Sequence, residues 1–338
     1  MNQPCVQHAT SFAPKPSIIK APEPNTVVAN STPPSRAQAA APRKIRSWHL
    51  INLLSLDAVM VGLTWQLIFT LEFLNRFPHA IESLIIGITI WLAYTADRIL
   101  DSWNLETNLP HTSRHYFHHQ FRTPMCCFWT IALGFDVILI ASFTHTVQIQ
   151  WGLVCLLFVL LYLLNSQKNI RALRAIPKEA QAGFIFAFGV SLVCWPAAPQ
   201  QIAGPLFSAT LVTGVLFSIN CATVAYWERQ LDEAQTFFAW TSGSNTTLTP
   251  IAFAFGLELT LTLAMLYFAL LDTFITNCLL SSTSCLAITI FLSQRHEQKQ
   301  TQNRSMSLTR SPEIRELLAD FSLILPPATL TVWRVYYG

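Results

Sequence analysis

Apolar residues along this chain come in long blocks rather than at the three-to-four-residue spacing of a soluble amphipathic helix. Blocks of about 18 or more residues with few charges are typical of membrane-spanning helices. Nine blocks follow residue 45, two of them short, and they predict an all-α, polytopic membrane bundle. The predicted spans are 48–74, 80–96, 125–143, 150–164, 180–196, 203–224, 250–271, 274–294 and 314–333.

The composition is typical of a membrane protein, and the N-terminal segment differs from the rest of the chain. Of the 338 residues, 52% are hydrophobic and 12% are charged, whereas a soluble domain carries about 25% charged residues. Residues 1–44 are instead rich in Pro, Ala, Ser and Thr, and too poor in apolar residues to offset chain entropy. We therefore expect a disordered cytoplasmic tail over 1–44 and a membrane domain over 45–338. The eight cysteines form no Cys-x-x-Cys pair and indicate no disulfide framework.

The Lys and Arg residues sort to one side of the predicted membrane. With the tail inside, the tail and the inner loops hold 19 of the 21, and the exceptions are Arg76 and Arg334. Positive charge gathers on the cytoplasmic side of membrane proteins. The distribution predicts a cytoplasmic N-terminus, a C-terminus on the opposite side and an odd number of spans. The expected partner surface is the lipid bilayer, not nucleic acid.

Two similar acidic motifs end the second and the sixth predicted spans. They read DRILD at 97–101 and ERQLD at 228–232, and both fall at the inner surface. They lie 131 residues and four spans apart, which indicates an internal repeat. Spans 2–5 and 6–9 are therefore predicted to be two related four-helix halves.

The spacing within each motif indicates a possible chemistry. Residues four apart share a helix face, so Asp97 stacks with Asp101, and Glu228 stacks with Asp232. Two close carboxylates repel each other unless a cation or a proton intervenes. Mg²⁺ binds through a few carboxylates together with substrate phosphates, so facing acidic pairs would suit a diphosphate. The alternative is that these helix ends carry ordinary charges in contact with water.

With these motifs the chain resembles the UbiA family of membrane prenyltransferases. The resemblance covers nearly all of the chain after the tail. The family's first motif, Asn-Asp-x-x-Asp-x-x-x-Asp, lies on 93–101, where Ala93 and Tyr94 replace the leading Asn and Asp. The second has acids at intervals of four; the corresponding positions here are Asn220, Val224, Glu228 and Asp232.

The resemblance implies a helical bundle with a central cavity near the inner face. It implies Mg²⁺-dependent ionisation of a prenyl diphosphate and attack by a lipophilic or aromatic acceptor. The implied catalytic and metal-binding residues are Asp97, Asp101, Glu228 and Asp232. Because the leading Asn and Asp are absent, a non-catalytic protein of this fold that binds an isoprenoid lipid is the alternative. A transporter built on the repeat is a third possibility, though matching Gly- or Pro-broken helices are not evident.

Basic residues at the inner surface are candidates for binding the diphosphate. Arg98 and Arg229 lie within the motifs, and Arg114 and His115 lie in the loop that follows the first motif. Lys178 is the strongest single candidate because it opens the fifth span. Positive-inside topology alone would also explain basic residues at this surface. The other inner cations considered are Arg122, Lys168, Arg171 and Arg174.

Two further groups of residues invite a functional interpretation. Asp57, Asp136 and Glu258 lie about ten residues inside their predicted spans, where ionisable groups are costly. They are either functional or protonated and hydrogen-bonded. The loop histidines also match one histidine box of membrane di-iron enzymes, but no second or third box exists, so a di-iron site is disfavoured. These histidines are His111, His115, His118 and His119.

Overall fold

A computed structural model describes residues 47–103, 105, 109, 112–168, 176–197, 200–234, 248–302 and 312–337; the predicted tail lies outside these ranges. Within them the chain is all helical, as predicted, and contains no strand. Helices satisfy their own backbone hydrogen bonds, as lipid requires. The eleven helices of the described ranges are α1 Ser47–Leu53, α2 Leu56–Phe73, α3 Ala80–Trp103, α4 Ser113–Gln120, α5 Arg122–Phe143, α6 Thr146–Lys168, α7 Lys178–Ser191, α8 Ala203–Ala234, α9 Thr249–Tyr267, α10 Thr273–Gln302 and α11 Pro312–Tyr337.

Seven of these helices are long and apolar enough to cross a membrane, namely α2, α3, α5, α6, α8, α9 and α10. They indicate a multi-pass membrane protein. Helix α7 has 14 residues, about 21 Å at helical rise, which is shorter than the hydrocarbon core of about 30 Å. Helix α11 is longer, but its first nine residues include four charged ones. The count of nine spans and the relation between two halves stay predictions.

Two predicted spans differ in continuity from expectation. The first is divided, because Ser55 adopts a left-handed conformation (φ 55°) that separates α1 from α2. The last contains Pro326 and Pro327, and proline inside a helix usually breaks or kinks it, yet α11 runs uninterrupted through both. Pro327 has no N–H for the Leu323 carbonyl one turn earlier. The indole N–H of Trp65 donates to that carbonyl instead, at 3.0 Å, which satisfies the group that the proline leaves open.

Helix α2 lies at the centre and packs against α3, α7 and α11. Its Trp65, Ile68 and Phe69 are fully buried. Helices α7 and α8 approach closely at Gly183, where a Cβ atom would come within 2.3 Å of the Ser218 backbone nitrogen. Glycine is needed there because any side chain would push the helices apart. This antiparallel pair places the start of α7 beside the end of α8.

Helices α5, α6 and α9 present mostly apolar, exposed surfaces. The membrane-spanning part of α6 has no buried residue, and α5 and α9 bury only a small share of theirs. Exposed residues such as Ile131, Leu157 and Phe253 are suited to contact with lipid chains.

Candidate functional site

A cavity of about 690 Å³ lies among α2, α3, α4, α6, α7, α8 and α11. Successive spanning helices alternate in direction. The C-terminal ends of α3 and α8 therefore meet the N-terminal ends of α7 and α11 at one end of it. That end is lined by charged residues, including Asp97, Arg98, Lys178, Glu228, Glu316 and Asp320.

The other end of the cavity is apolar. Val61, Ile90, Phe186 and Phe217 line it. On α3 the lining positions run from Asp101 back to Thr89, about 18 Å along the helix axis. The cavity thus combines a charged end with a long apolar region, which suits a ligand with a polar head and a hydrocarbon tail.

The motif on α3 turns all three of its charged residues to the cavity. Asp97, Arg98 and Asp101 are half-buried and line it. Asp97 Oδ1 is buried and has no hydrogen-bond partner among the described residues. The amide of Gln167 donates to Asp101 Oδ1 at 3.2 Å. Ala93 and Tyr94, which stand where the resembled family has Asn and Asp, also line the cavity.

The motif on α8 is oriented differently. Asn220, Val224 and Glu228 line the cavity at the expected interval of four. Arg229 does not line it: its guanidinium stacks over the Tyr226 ring at 4.1 Å and donates to the Tyr226 carbonyl at 2.9 Å. Arg229 lies outside the arc of α8 that lines the cavity, which covers about 140° around the helix axis. The side chain of Asp232 lies outside the described part of the structure.

Arg114 connects three elements at the charged end. It projects from α4, is 6% exposed, and forms ion pairs with Glu228 on α8 and with Glu316 on α11, the latter at 2.8 Å. The amide of Asn52 on α1 also donates to Glu316 Oε2, at 3.3 Å, and to Asp57 Oδ2, at 3.1 Å. Arg114 therefore neutralises a carboxylate that was predicted to bind metal.

The contribution of α11 was missed by the sequence interpretation. Glu316 and Asp320 line the cavity one helical turn apart, and Asp320 Oδ1 accepts from the Asn220 amide at 2.9 Å. The signal was available, because these residues repeat the i, i+4 acidic spacing of the two motifs. It was overlooked because no arginine directly follows the first acid.

His115 and His118 on α4 are held as neutral rings. His115 lines the cavity, and burial, aided by the nearby Arg114 and Arg98 charges, holds the pKa of its imidazole well below the usual value. Burial likewise lowers the pKa of His118 to about 4, although its hydrogen bond to the Arg114 carbonyl opposes the change. That carbonyl only accepts, so His118 Nδ1 donates, at 2.9 Å. His115 can therefore offer a phosphate a hydrogen bond, but no charge. His111 lies outside the described residues.

Two of the cations that line the cavity form no ion pair with any residue that the structure describes. Arg98 and Lys178 are half-buried, and neither forms an ion pair within the described part of the chain. They suit an anionic ligand. Arg122 does not line the cavity, and the side chains of Lys168, Arg171 and Arg174 are outside the described residues.

The three acids expected deep inside spans divide into two kinds. Asp57 lines the cavity, but the break at Ser55 places it in the first turn of α2, where its Oδ1 accepts from the Ala58 N–H at 2.9 Å. Asp136 and Glu258 are buried away from it. The hydroxyl of Thr89 donates to Asp136 at 2.8 Å, and that of Thr262 donates to Glu258 at 3.2 Å. These contacts are those of hydrogen-bonded packing.

The cavity's donor set can be compared with what Mg²⁺ requires. Among the described residues, no group of three or more His, Cys, Asp or Glu side chains is placed to hold a metal ion. Mg²⁺ bound with a diphosphate commonly uses only one or two protein carboxylates. Asp97 and Asp101, one turn apart with the Asp97 Oδ1 unpartnered, fit that smaller requirement. Glu228 would first have to exchange its contact with Arg114.

Comparison with known proteins found no relative of this chain: no family model, no curated protein and no solved structure matches it.

Proposed function

We propose that this protein transfers a prenyl group from a prenyl diphosphate to a lipophilic or aromatic acceptor within the membrane. The observation that carries the proposal is the meeting of Asp97 and Asp101 from α3 with Glu228 from α8 around one cavity. These residues are far apart in sequence, and their convergence on a space with an apolar extension suits a diphosphate attached to a hydrocarbon chain.

Each part of the cavity has a role in this reaction. The allylic carbon–oxygen bond breaks, both electrons leave with the diphosphate, and an electron pair of the acceptor forms the new bond to carbon. The acceptor then loses a proton to the released diphosphate or to water. Arg98 and Lys178 would hold the diphosphate through charge-assisted hydrogen bonds. A Mg²⁺ ion bound by Asp97 and Asp101 would neutralise charge on the leaving group. The apolar lining near Phe186 and Phe217 would hold the prenyl chain and exclude water.

The proposed orientation places the charged end of the cavity at the cytoplasmic surface. The distribution of Lys and Arg supports a cytoplasmic N-terminus. If α7 and α11 cross the membrane together with the seven longer helices, the C-terminus lies on the opposite side. The diphosphate head group of a prenyl diphosphate is charged and hydrated, so a charged end of the cavity that faces the cytoplasm would receive it directly.

A binding experiment tests the proposal. The protein would be purified into lipid nanodiscs and given radiolabelled farnesyl or geranylgeranyl diphosphate, with Mg²⁺ or with EDTA. We expect Mg²⁺-dependent binding that Asp97→Asn weakens about tenfold or more, because a charge-assisted contact is lost. Glu258→Gln is the matched control, since Glu258 is a buried span carboxylate away from the cavity. Binding that ignores both metal and Asp97→Asn would refute the proposal.

One observation favours a second function, a non-catalytic protein that binds an isoprenoid lipid. Glu228 is already paired with Arg114, and Ala93 and Tyr94 supply no carboxylate or amide oxygen where the resembled family has Asn and Asp. Release of labelled diphosphate from the bound substrate separates the two functions. Release that requires Mg²⁺ supports transfer, whereas tight binding without release supports the second function.

A further inference from the structure

Three side chains at the charged end form a surface that we call the acceptor face: Asn220 on α8, and Glu316 and Asp320 on α11. All three line the cavity, and Asn220 and Glu316 are 8% and 1% exposed. Asn220 is the first position of the second motif, but none of the three is among the residues through which the diphosphate is proposed to bind. Their hydrogen-bonding state indicates a different kind of ligand.

Three N–H donors of this region already serve the two carboxylates of the face. Asn220 Nδ2 donates to Asp320 Oδ1. Asn52 Nδ2 and Arg114 both donate to Glu316 Oε2. The donors therefore hold one oxygen of each carboxylate in place.

The remaining acceptor oxygens of the acceptor face accept no hydrogen bond within the described part of the chain. Glu316 Oε1 and Asn220 Oδ1 are buried, and neither has a hydrogen-bond partner among the described residues. Asp320 is only half-buried, and within the described chain its single hydrogen bond is at Oδ1, so Oδ2 is the oxygen that stays available. A buried acceptor without a donor costs about 1–3 kcal/mol. A group that brings donors to this face would remove that cost.

The opposite holds for the cations of the cavity. Arg98 and Lys178 are donors without an ion-pair partner in the described residues, and they suit an anion. An anionic head group at the acceptor face would instead meet two carboxylates and an amide oxygen. The two sets of residues therefore select head groups of opposite hydrogen-bonding character.

We propose that the acceptor face binds the hydroxyl head group of a lipophilic alcohol or phenol, whose tail lies in the apolar part of the same cavity. The hydroxyl donates to Glu316 or Asp320 and lies next to the Asn220 amide oxygen. The two buried oxygens are reached by small rotations about terminal torsions, which are broad for Glu and Asn. That this molecule is the acceptor of the transfer rests on the proposed function; its binding does not.

The test uses a pair of probes that differ in a single donor, farnesol and farnesyl methyl ether. Their affinities for the purified protein in detergent would be measured without Mg²⁺ and without any diphosphate, by the rise in melting temperature with ligand concentration. We expect farnesol to bind about tenfold more tightly relative to the ether, as for one hydrogen bond to a charged group. The two probes also partition differently into detergent, and this bias cancels when wild type and variants are compared.

Glu316→Gln is the decisive variant because its orientation is fixed by its neighbours. Asn52 and Arg114 both donate towards Oε2, so the glutamine must turn its carbonyl to them and its NH₂ to the place of Oε1. The variant exchanges an acceptor for a donor, and the preference for farnesol should disappear or reverse in favour of the ether. Asp320→Asn follows the same logic, because Asn220 donates to Oδ1, and it serves if Glu316→Gln does not fold.

Glu258→Gln is the control, and its preference should equal that of the wild type. The proposal would be overturned if the wild type bound neither probe. It would also be overturned if the preference of the wild type for farnesol over the ether were no larger than that of Glu316→Gln and of Asp320→Asn. Because no diphosphate or metal is present, such a failure would leave the proposed diphosphate site untouched. A protein that showed no Mg²⁺-dependent binding of diphosphate would likewise not contradict the proposal for the acceptor face.

Discussion

The two acidic motifs share a sequence pattern but face the cavity differently. On α3, Asp97, Arg98 and Asp101 all line it, whereas on α8 Glu228 lines it and Arg229 does not. At about 100° per residue, the lining positions of α3 span an arc of about 180°, and those of α8 span about 140°. Helix α8 packs closely against α7 and also contacts α9, α10 and α11. The two helices therefore present different arcs of a similar motif to the cavity, and only the α3 motif places its arginine there.

The motifs also differ in where their counter-charge comes from. Glu228 is neutralised by Arg114, which α4 inserts from the connection between α3 and α5. No comparable ion pair holds Asp97 among the described residues. The α8 motif is thus part of an ion-pair network, while Asp97 and Arg98 of the α3 motif form no ion pair among the described residues. The following predictions test this difference.

The largest effect is expected on removing the cation from the α8 network. Arg114→Met leaves Glu228 and Glu316 buried without their ion-pair partner, and breaking a buried pair costs about 3–5 kcal/mol. Arg98→Met, the matched change beside the α3 motif, breaks no ion pair among the described residues and should cost less than about 1 kcal/mol. Unfolding of the purified variants in detergent, by heat or denaturant, measures both.

A double variant checks the cause of this loss. If the penalty comes from uncompensated carboxylates, adding Glu228→Gln to Arg114→Met should recover part of the stability, because one buried charge is removed. Equal losses for Arg114→Met and Arg98→Met would contradict the distinction between the two motifs.

A smaller loss of stability is expected in acid, through protonation of His118 on α4. The buried His118 has a pKa of about 4, below the 6.5 of an unfolded histidine. Between these values the unfolded state binds more protons, so the stability of the fold decreases as the pH falls through that window. From pH 7 to pH 5 this contributes a loss of about 2 kcal/mol. Thermal unfolding at both pH values measures it.

The control for the acid effect is another histidine. His118→Asn keeps an N–H near the Arg114 carbonyl but cannot take up a proton, so it should show a smaller decrease between pH 7 and pH 5. His145→Gln changes an exposed histidine at the start of α6 and should follow the wild type. If His118→Asn lost as much stability in acid as the wild type, His118 would not be the group responsible.

Much of this geometry follows from regularities that act along the chain. The apolar blocks predict helices, and the interval of four predicts that Asn220, Val224 and Glu228 share a face, as they do. The predicted separation of the two motifs by four spans would place the ends of α3 and α8 on the same side, and these two ends do meet at one cavity. These features depend on the helical period and on the lengths of the apolar blocks, and both are local properties of the sequence.

The remaining features depend on contacts between distant segments. No local pattern predicts that Arg114 reaches both Glu228 and Glu316, because that depends on how α4 lies across the helix ends. Likewise, α11 tolerates Pro327 because Trp65, from another helix, supplies the missing donor. Arg98 and Arg229 have equivalent positions in their motifs, and only packing decides which of them faces the cavity.

The smallest effect distinguishes these two arginines directly. Arg98→Gln removes a cavity cation without an ion-pair partner in the described chain, and should weaken the binding of radiolabelled farnesyl diphosphate about tenfold, as for one charge-assisted contact. Arg229→Gln removes a cation that stacks on Tyr226 outside the cavity, and binding should change less than about twofold. Because both changes remove one positive charge from the same end of the bundle, a general electrostatic attraction would predict equal losses. Equal losses would therefore show that the position of the arginine relative to the cavity is irrelevant, and that the two motifs act alike.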